Sequence, residues 1–298
     1  MKKNLIVVRA GGKSLHPRWQ EISYEDRNYD LLISFFSDEA FAAFKPEPGV
    51  EAVLVKGGKW DGLFLTLSGR DLDAYDYVWL PDDDLDIAAQ NVNDLFNAMD
   101  SHGLRIAQPS LTPESYFSHF VFSQCPGFVL RYTNYIEIMA PCLHRDVLKK
   151  ALPLFQSTMS GYGLDYIWCR WQEAGAFRTA ILDEIAMHHT RPVGKNLKSA
   201  MAASGNQSSE EEEAVLKEMF DLSRRTVPIV FAGILSGGQP ISGRLQVGWR
   251  MCRAWWAMLS DFRSKSEARA GIFKIARRQL TKPLEMATIF FKAPKQSD

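Results

Sequence analysis

Short β-prone apolar runs alternate along this chain with stretches whose apolar residues recur at helical spacing. Leu5–Val8, Asp30–Phe36, Val50–Val55, Tyr77–Leu80 and Leu104–Ala107 are each bounded by Gly, Pro or charged residues, and each predicts a buried strand. Gln108–Pro109 is expected to end the fifth of these. Gly62–Asp73 and Ile87–Met99 carry the helical pattern, and Gly103 supplies a stop for the second. Further on, Phe117–Val129 is aromatic-rich and irregular, Tyr135–Met139 predicts a strand, Asp146–Phe155 a helix broken at Pro153, and Ala180–Leu182 a last strand. Strands alternating with helices predict an α/β sandwich around a largely parallel sheet.

Composition supports a folded chain. Its 298 residues are 46% hydrophobic and 12% aromatic, enough for a full core. The formal net charge of +0 conceals an asymmetry. Residues 241–298 hold 12 Lys or Arg against 4 Asp or Glu, a net of +8, which leaves −8 for residues 1–240. A basic tail follows an acidic body, and no nucleic-acid partner is expected. Cys125, Cys142, Cys169 and Cys252 are far apart, which argues against a zinc site or a disulfide framework. Leu5–Val8 is too short for the core of a signal peptide, and no segment has the run of about 18 apolar residues that a membrane span needs. The expected location is the cytoplasm, with the tail as a candidate peripheral anchor on the inner face of the membrane.

Asp82, Asp83, Asp84 and Asp86 crowd together immediately after the strand Tyr77–Leu80 and Pro81. Their mutual repulsion is commonly relieved by a divalent cation, so Asp82 and Asp84 are candidate ligands of Mn²⁺ or Mg²⁺. Alternatively, Asp84 caps the helix that follows and its neighbours favour that helix's positive end. His188 or His189, after the last strand, offers an imidazole to the same cation or stands as a structural residue.

Other residues gather near this strand end. Leu5–Val8 runs into Arg9 and Gly11–Gly12, a strand feeding a glycine turn that lets backbone approach a ligand. Lys56, Lys59 and Trp60, with Gly57 and Gly58, offer cations, an aromatic face and flexible backbone to a nucleotide, or form an ordinary turn with solvated lysines. Glu137 lies in an otherwise apolar run, where it pairs with Arg131 or takes a catalytic role. Asp165 follows two glycines at a helix start, facing a cleft or serving as the N-cap.

Asp82-x-Asp84 at a strand end resembles the metal motif of GT-A glycosyltransferases, in which a metal bridges the diphosphate of a nucleotide-activated sugar. Over residues 1–200 the chain resembles the family catalogued as domain of unknown function 707, itself similar to GT-A enzymes. The resemblance is carried by Ala74–Leu80 with Asp82–Leu85, Gly103–Pro109, Glu137–Pro141, Gly163–Asp165 and His189–Gly194. It implies a GT-A-like α/β/α sandwich over residues 1–204. It also implies that Asp82 and Asp84 hold the metal–nucleotide-sugar complex, that Asp83 adjoins it, and that His189 contacts the metal or the diphosphate. Asp165 would then be the general base of an inverting transfer to a glycan or glycolipid acceptor. A retaining course follows if Asp165 only hydrogen-bonds the acceptor. A non-catalytic GT-A-like binding protein is the rival reading. A sugar nucleotidyltransferase is a third, disfavoured because Ser14–Pro17 follows the glycines.

Residues 204–213 have the composition of a linker or an exposed helix start, and residues 205–298 are expected to form a basic, mainly helical extension. Val247, Met251, Trp255, Met258 and Phe262 fall at helical spacing among Arg250, Arg253 and Arg263. Such a helix either packs on the core or lies on an anionic membrane surface.

Overall fold

The computed structural model describes residues 1–171, 177–192 and 208–290. Its centre is one large mixed sheet. The strands are β1 (Asn4–Ala10), β2 (Tyr29–Phe35), β3 (Val50–Leu54), β4 (Tyr77–Trp79), β5 (Leu85–Asp86), β6 (Ile106–Leu111), β7 (Phe128–Thr133), β8 (Cys142–His144), β9 (Thr179–His189), β10 (Val230–Leu235) and β11 (Pro240–Ser242). They lie in the order β3-β2-β1-β4-β8-β6-β9-β7-β10-β11, with β5 off this path against β9. The helices used below are α1 (Asp38–Ala42), α2 (Trp60–Leu67), α3 (Ala89–Ser101), α4 (Arg145–Phe155), α5 (Leu164–Ile167), α6 (Ser209–Met219), α7 (Arg244–Ala257) and α8 (Lys265–Thr281).

The α/β class expected from the sequence is observed. β1 and β2 are apolar on both faces and almost wholly buried, as strands covered by helices on both sides must be. β3, β2, β1 and β4 run parallel, as do β6 and β9. The sheet is less parallel than expected, because β8 inserts antiparallel between β4 and β6 and β7, β10 and β11 add antiparallel pairings. The C-terminal ends of β1, β4, β6 and β9 therefore share one sheet edge.

Several local expectations are corrected. Pro109 does not end β6. It sits at the register shift between β6 and β9, where a missing backbone N–H is tolerated. Tyr135–Met139 is not a strand. The strand comes earlier, at Phe128–Thr133, and stops where the side chain of Asn134 accepts the N–H of Ile229 at 2.8 Å. Pro153 lies within α4 without ending it. α2 is shorter than expected, stopping before Gly69 at φ 79°.

The C-terminal segment is not purely helical, since β10 and β11 extend the central sheet beside β7. Ser208 caps α6 through a capping box with Glu211, so the helix-start reading holds there. α7 buries Val247, Met251 and Trp255, and the Trp255 indole donates to the carbonyl of Gln124 at 3.0 Å. No helix among the described residues is long and apolar enough to cross a membrane.

Candidate functional site

The shared strand edge opens into a cavity of about 540 Å³, lined by Lys59, Asp82–Asp84, Glu137, His189 and Arg191 among others. Pro81 breaks out of β4 and carries the acids there. Asp84 does not cap the following helix: α3 starts at Ala89 behind Ala88, and Leu85–Asp86 instead forms β5, paired with His188–His189 of β9. That pairing sets His189 beside Asp84, with Nε2 3.4 Å from Oδ2. The other imidazole nitrogen lies 2.9 Å from the carbonyl of Tyr116, which fixes the ring. His188, one residue earlier, points to the opposite side of the strand.

Each acid of the cluster meets a basic side chain of the protein. Lys59 Nζ lies 2.6 Å from Asp82 Oδ1, Arg191 Nη1 3.0 Å from Asp83 Oδ1, and Arg18 Nε 3.1 Å from Asp86 Oδ1. Asp83 Oδ2 also accepts the N–H of Gly11 at 3.2 Å, tying the turn after β1 to the acidic loop. Repulsion within the cluster is thus partly offset from within the chain, although the charge of Asp84 still raises both Asp82 and Asp83. No group of three or more His, Cys, Asp or Glu arranged to hold a metal ion is found among the described residues. With Asp82 engaged by Lys59, the proposed trio Asp82, Asp84 and His189 is not a ready ligand set as it stands. One feature does suit a cation: Asp84 Oδ1 is buried without a hydrogen-bond partner among the described residues.

Burial raises the Asp82 and Asp83 carboxyls above their ordinary range, against the pull of Lys59 on one and of the Gly11 N–H and Arg191 on the other. For His189, burial lowers the imidazole, but its hydrogen bond to Asp84 and that residue's charge outweigh it, and the net direction is upward.

Glu137 is 4% exposed and does not pair with Arg131. Arg131 is held instead by Asp183, with Nε 2.7 Å from Oδ2, in a fully buried ion pair. Among the described residues Glu137 Oε1 has no hydrogen-bond partner, and burial pushes the carboxyl up to about 8 despite His189 and Gln108. Glu137 therefore holds its proton at neutral pH and becomes a carboxylate only above about pH 8.

Asp165 lies behind that wall. It is not the N-cap of α5, a role taken by Gly163 at φ 99°. Its Oδ2 accepts the hydroxyl of Tyr135, which also approaches His119 Nε2 at 3.3 Å. Burial raises the Asp165 carboxyl to about 7, with the Tyr135 hydrogen bond opposing.

Other expected contacts are redirected. Lys56 is an exposed residue that pairs with Asp38 at the start of α1, outside the cavity lining. Trp60 offers no free face for a base: it is fully buried, with ring centroids 4.6 Å from Phe155 and 5.6 Å from Trp168. Arg9 touches the cavity but spends its guanidinium on the carbonyls of Gly57 and Gly58, both at 2.9 Å, and on Ser34 Oγ at 2.7 Å. Burial lowers it to about 10, against the pull of Asp61. Gly11 is outside the lining but permits close packing, since a Cβ there would sit 2.7 Å from the Phe36 ring.

Among the lining residues that sequence did not single out are Phe36, Tyr162 and Arg191. Phe36, 43% exposed at the end of β2, is the accessible aromatic face, with the Arg9 guanidinium 5.8 Å from its ring centre. Tyr162 and Arg191 also line the cavity. Their only signal was membership in the motifs Gly161–Asp165 and His189–Gly194.

No protein-family model matches the chain, and no curated protein sequence is similar to it. Among solved structures it is similar to S. aureus TarS 1–349 in complex with UDP-GlcNAc, with 11% identity, a TM-score of 0.44, and coverage of 100% of this chain and 98% of that one. The same TarS fragment in complex with UDP gives 11% identity and a TM-score of 0.42 over the same shares. A further structure of S. aureus TarS gives 11% and 0.41, covering 94% of this chain and 55% of that one. At this identity and TM-score the likeness by itself assigns no substrate or reaction.

Proposed function

We propose that the cleft binds a nucleotide-sugar donor and transfers its sugar to a hydroxyl of a glycan or glycolipid acceptor. The observation that carries this reading is the cavity itself. Lys59 and Arg191 stand among the acids at the strand edge, and Glu137 presents an unpartnered buried carboxyl to the same space. Open α/β sheets bind ligands at this edge, and the cavity volume is that of a small-molecule site.

In this reading the donor's diphosphate lies near Lys59 and Arg191, and its base stacks on Phe36. Glu137 takes the proton of the acceptor hydroxyl as that oxygen attacks the anomeric carbon. The bond from that carbon to the phosphate oxygen breaks, and its electron pair leaves with the nucleoside diphosphate, whose growing charge Lys59 and Arg191 offset. A single displacement of this kind inverts the anomeric configuration. Asp165 acts through Tyr135 as a positioning residue rather than as the base.

A second reading places a Mn²⁺ or Mg²⁺ at Asp82, Asp84 and His189, where it would share the diphosphate charge. It is favoured by the unpartnered Asp84 Oδ1, and it requires Lys59 to release Asp82. Donor affinity measured with chelator and again across a Mn²⁺ titration separates the readings. Binding that survives chelation supports the protein cations alone, and binding that appears only with metal supports the second. Slow hydrolysis of the bound donor would distinguish an enzyme from a non-catalytic binding protein.

A further inference from the structure

The helical hairpin α7–α8 presents an apolar, cationic face that the cleft does not use. α7 turns Val247, Met251 and Trp255 into the core, so helical geometry leaves Leu245, Trp249, Arg253 and Trp256 along one outward stripe. Leu245, Trp249 and Trp256 are 59%, 63% and 51% exposed. On α8, Ala268, Ile272 and Ile275 face inward, and the outward stripe carries Arg269, Phe273, Arg277 and Leu280. Phe273 and Leu280 are 65% and 69% exposed. The rings of Trp256 and Phe273 are 6.3 Å apart, which joins the two stripes into one surface.

The charge on this hairpin is one-sided. Arg244–Lys282 holds ten Lys or Arg against two Asp or Glu. One of those acids, Glu267, is engaged by Arg263 at 3.2 Å. Among the described residues, Arg250, Arg269 and Arg277 have no carboxylate partner, and Arg253 lies 5.5 Å from the centre of the Trp249 ring. Large apolar groups left together in water mark an interaction surface. Tryptophans interleaved with arginines on a helical face suit the headgroup layer of a bilayer, where the rings enter the interface and the cations meet phosphates. A second copy of the chain is a poor occupant, because two such faces would bring like charges together.

We propose that this face docks the protein reversibly on an anionic lipid bilayer, with Trp249, Trp256 and Phe273 seated at headgroup depth. The proposal does not depend on the reaction in the cleft, and its test is read without substrate. Full-chain protein is sedimented with vesicles of phosphatidylglycerol in phosphatidylcholine, and with phosphatidylcholine alone. Tryptophan fluorescence is followed with brominated lipids in the same mixtures. Binding is expected only with the anionic vesicles, weakening as salt rises, with fluorescence quenched by bromine. The triple variant Arg253→Gln, Arg269→Gln, Arg277→Gln should lower partitioning about a hundred-fold. The variant Trp249→Ser, Trp256→Ser should lose the quenching while circular dichroism shows a retained fold. Full-chain protein left in the supernatant would overturn the proposal. So would equal binding by either variant, adsorption without quenching, or self-association that buries the tryptophans in the absence of lipid.

Discussion

Lys59 Nζ lies 2.6 Å from Asp82 Oδ1 and donates at 2.7 and 2.9 Å to the carbonyls of Ile138 and Met139. One ammonium therefore ties the acidic turn after β4 to the loop that carries Glu137, and sets the floor of the cavity. Lys59→Met should free Asp82 and leave the Ile138 carbonyl without its donor, while the Met139 carbonyl keeps the Asp82 N–H, at a cost of about 2 kcal/mol. Urea unfolding measures the loss. Donor affinity should fall as well, and a variant with unchanged stability would remove Lys59 from this tying role.

Glu137→Gln should reduce turnover by about 10²-fold or more while donor affinity is retained. In the wild type, kcat/KM should rise with pH through about 8, because the base must be ionised to accept a proton and burial holds its carboxyl near that value. Stability should move the other way. The folded protein keeps this proton up to about pH 8 and the unfolded chain releases it at the ordinary glutamate value, so the contribution is full at low pH and is lost as pH rises through the folded value. Denaturant titrations across pH should show a flatter profile for Glu137→Gln than for the wild type.

Asp165→Asn is expected to keep donor affinity and to lower turnover less than Glu137→Gln does. The amide can still accept the Tyr135 hydroxyl, so the wall stays in place. If this variant were the more damaging of the two under single-turnover conditions, the base would be Asp165 after all.

Arg131→Met should destabilise the protein by about 3–5 kcal/mol, the usual consequence of leaving a buried carboxylate unpaired. Asp183 is 2% exposed and holds the Cys125 N–H at 2.8 Å as well. Adding Asp183→Leu to that variant should recover part of the loss in equilibrium unfolding.

The strands that support the cleft were legible because β1 and β2 are buried on both faces and β4 is wholly buried, and unbroken apolar runs follow from that. The acidic turn was legible because four aspartates in five positions have few structural uses. What sequence could not show was who neutralises them. Arg191 reaches Asp83 across 108 residues of chain and Lys59 reaches Asp82 across 23, and neither separation leaves a local pattern. The segment Tyr135–Met139 misled for a related reason. It is apolar because it is buried, yet it is held chiefly by side chains, with Trp168 Nε1 donating to the Ile136 carbonyl at 3.0 Å and Lys59 to those of Ile138 and Met139, rather than by a neighbouring strand. Trp60 misled because an aromatic beside a glycine turn looks the same whether its ring faces a ligand or the core.

On the proposed function, the cleft at the ends of β1, β4 and β9 recognises a nucleotide diphosphate. Isothermal titration of the full chain with a panel of nucleoside diphosphates and nucleotide sugars, with chelator and with Mn²⁺, tests it most directly. Saturable binding of at least one of these is expected, weakened at least tenfold in Arg191→Met, a loss of about 1.4 kcal/mol. Absence of binding across the panel under both conditions, or binding that Arg191→Met leaves unchanged, would contradict the account.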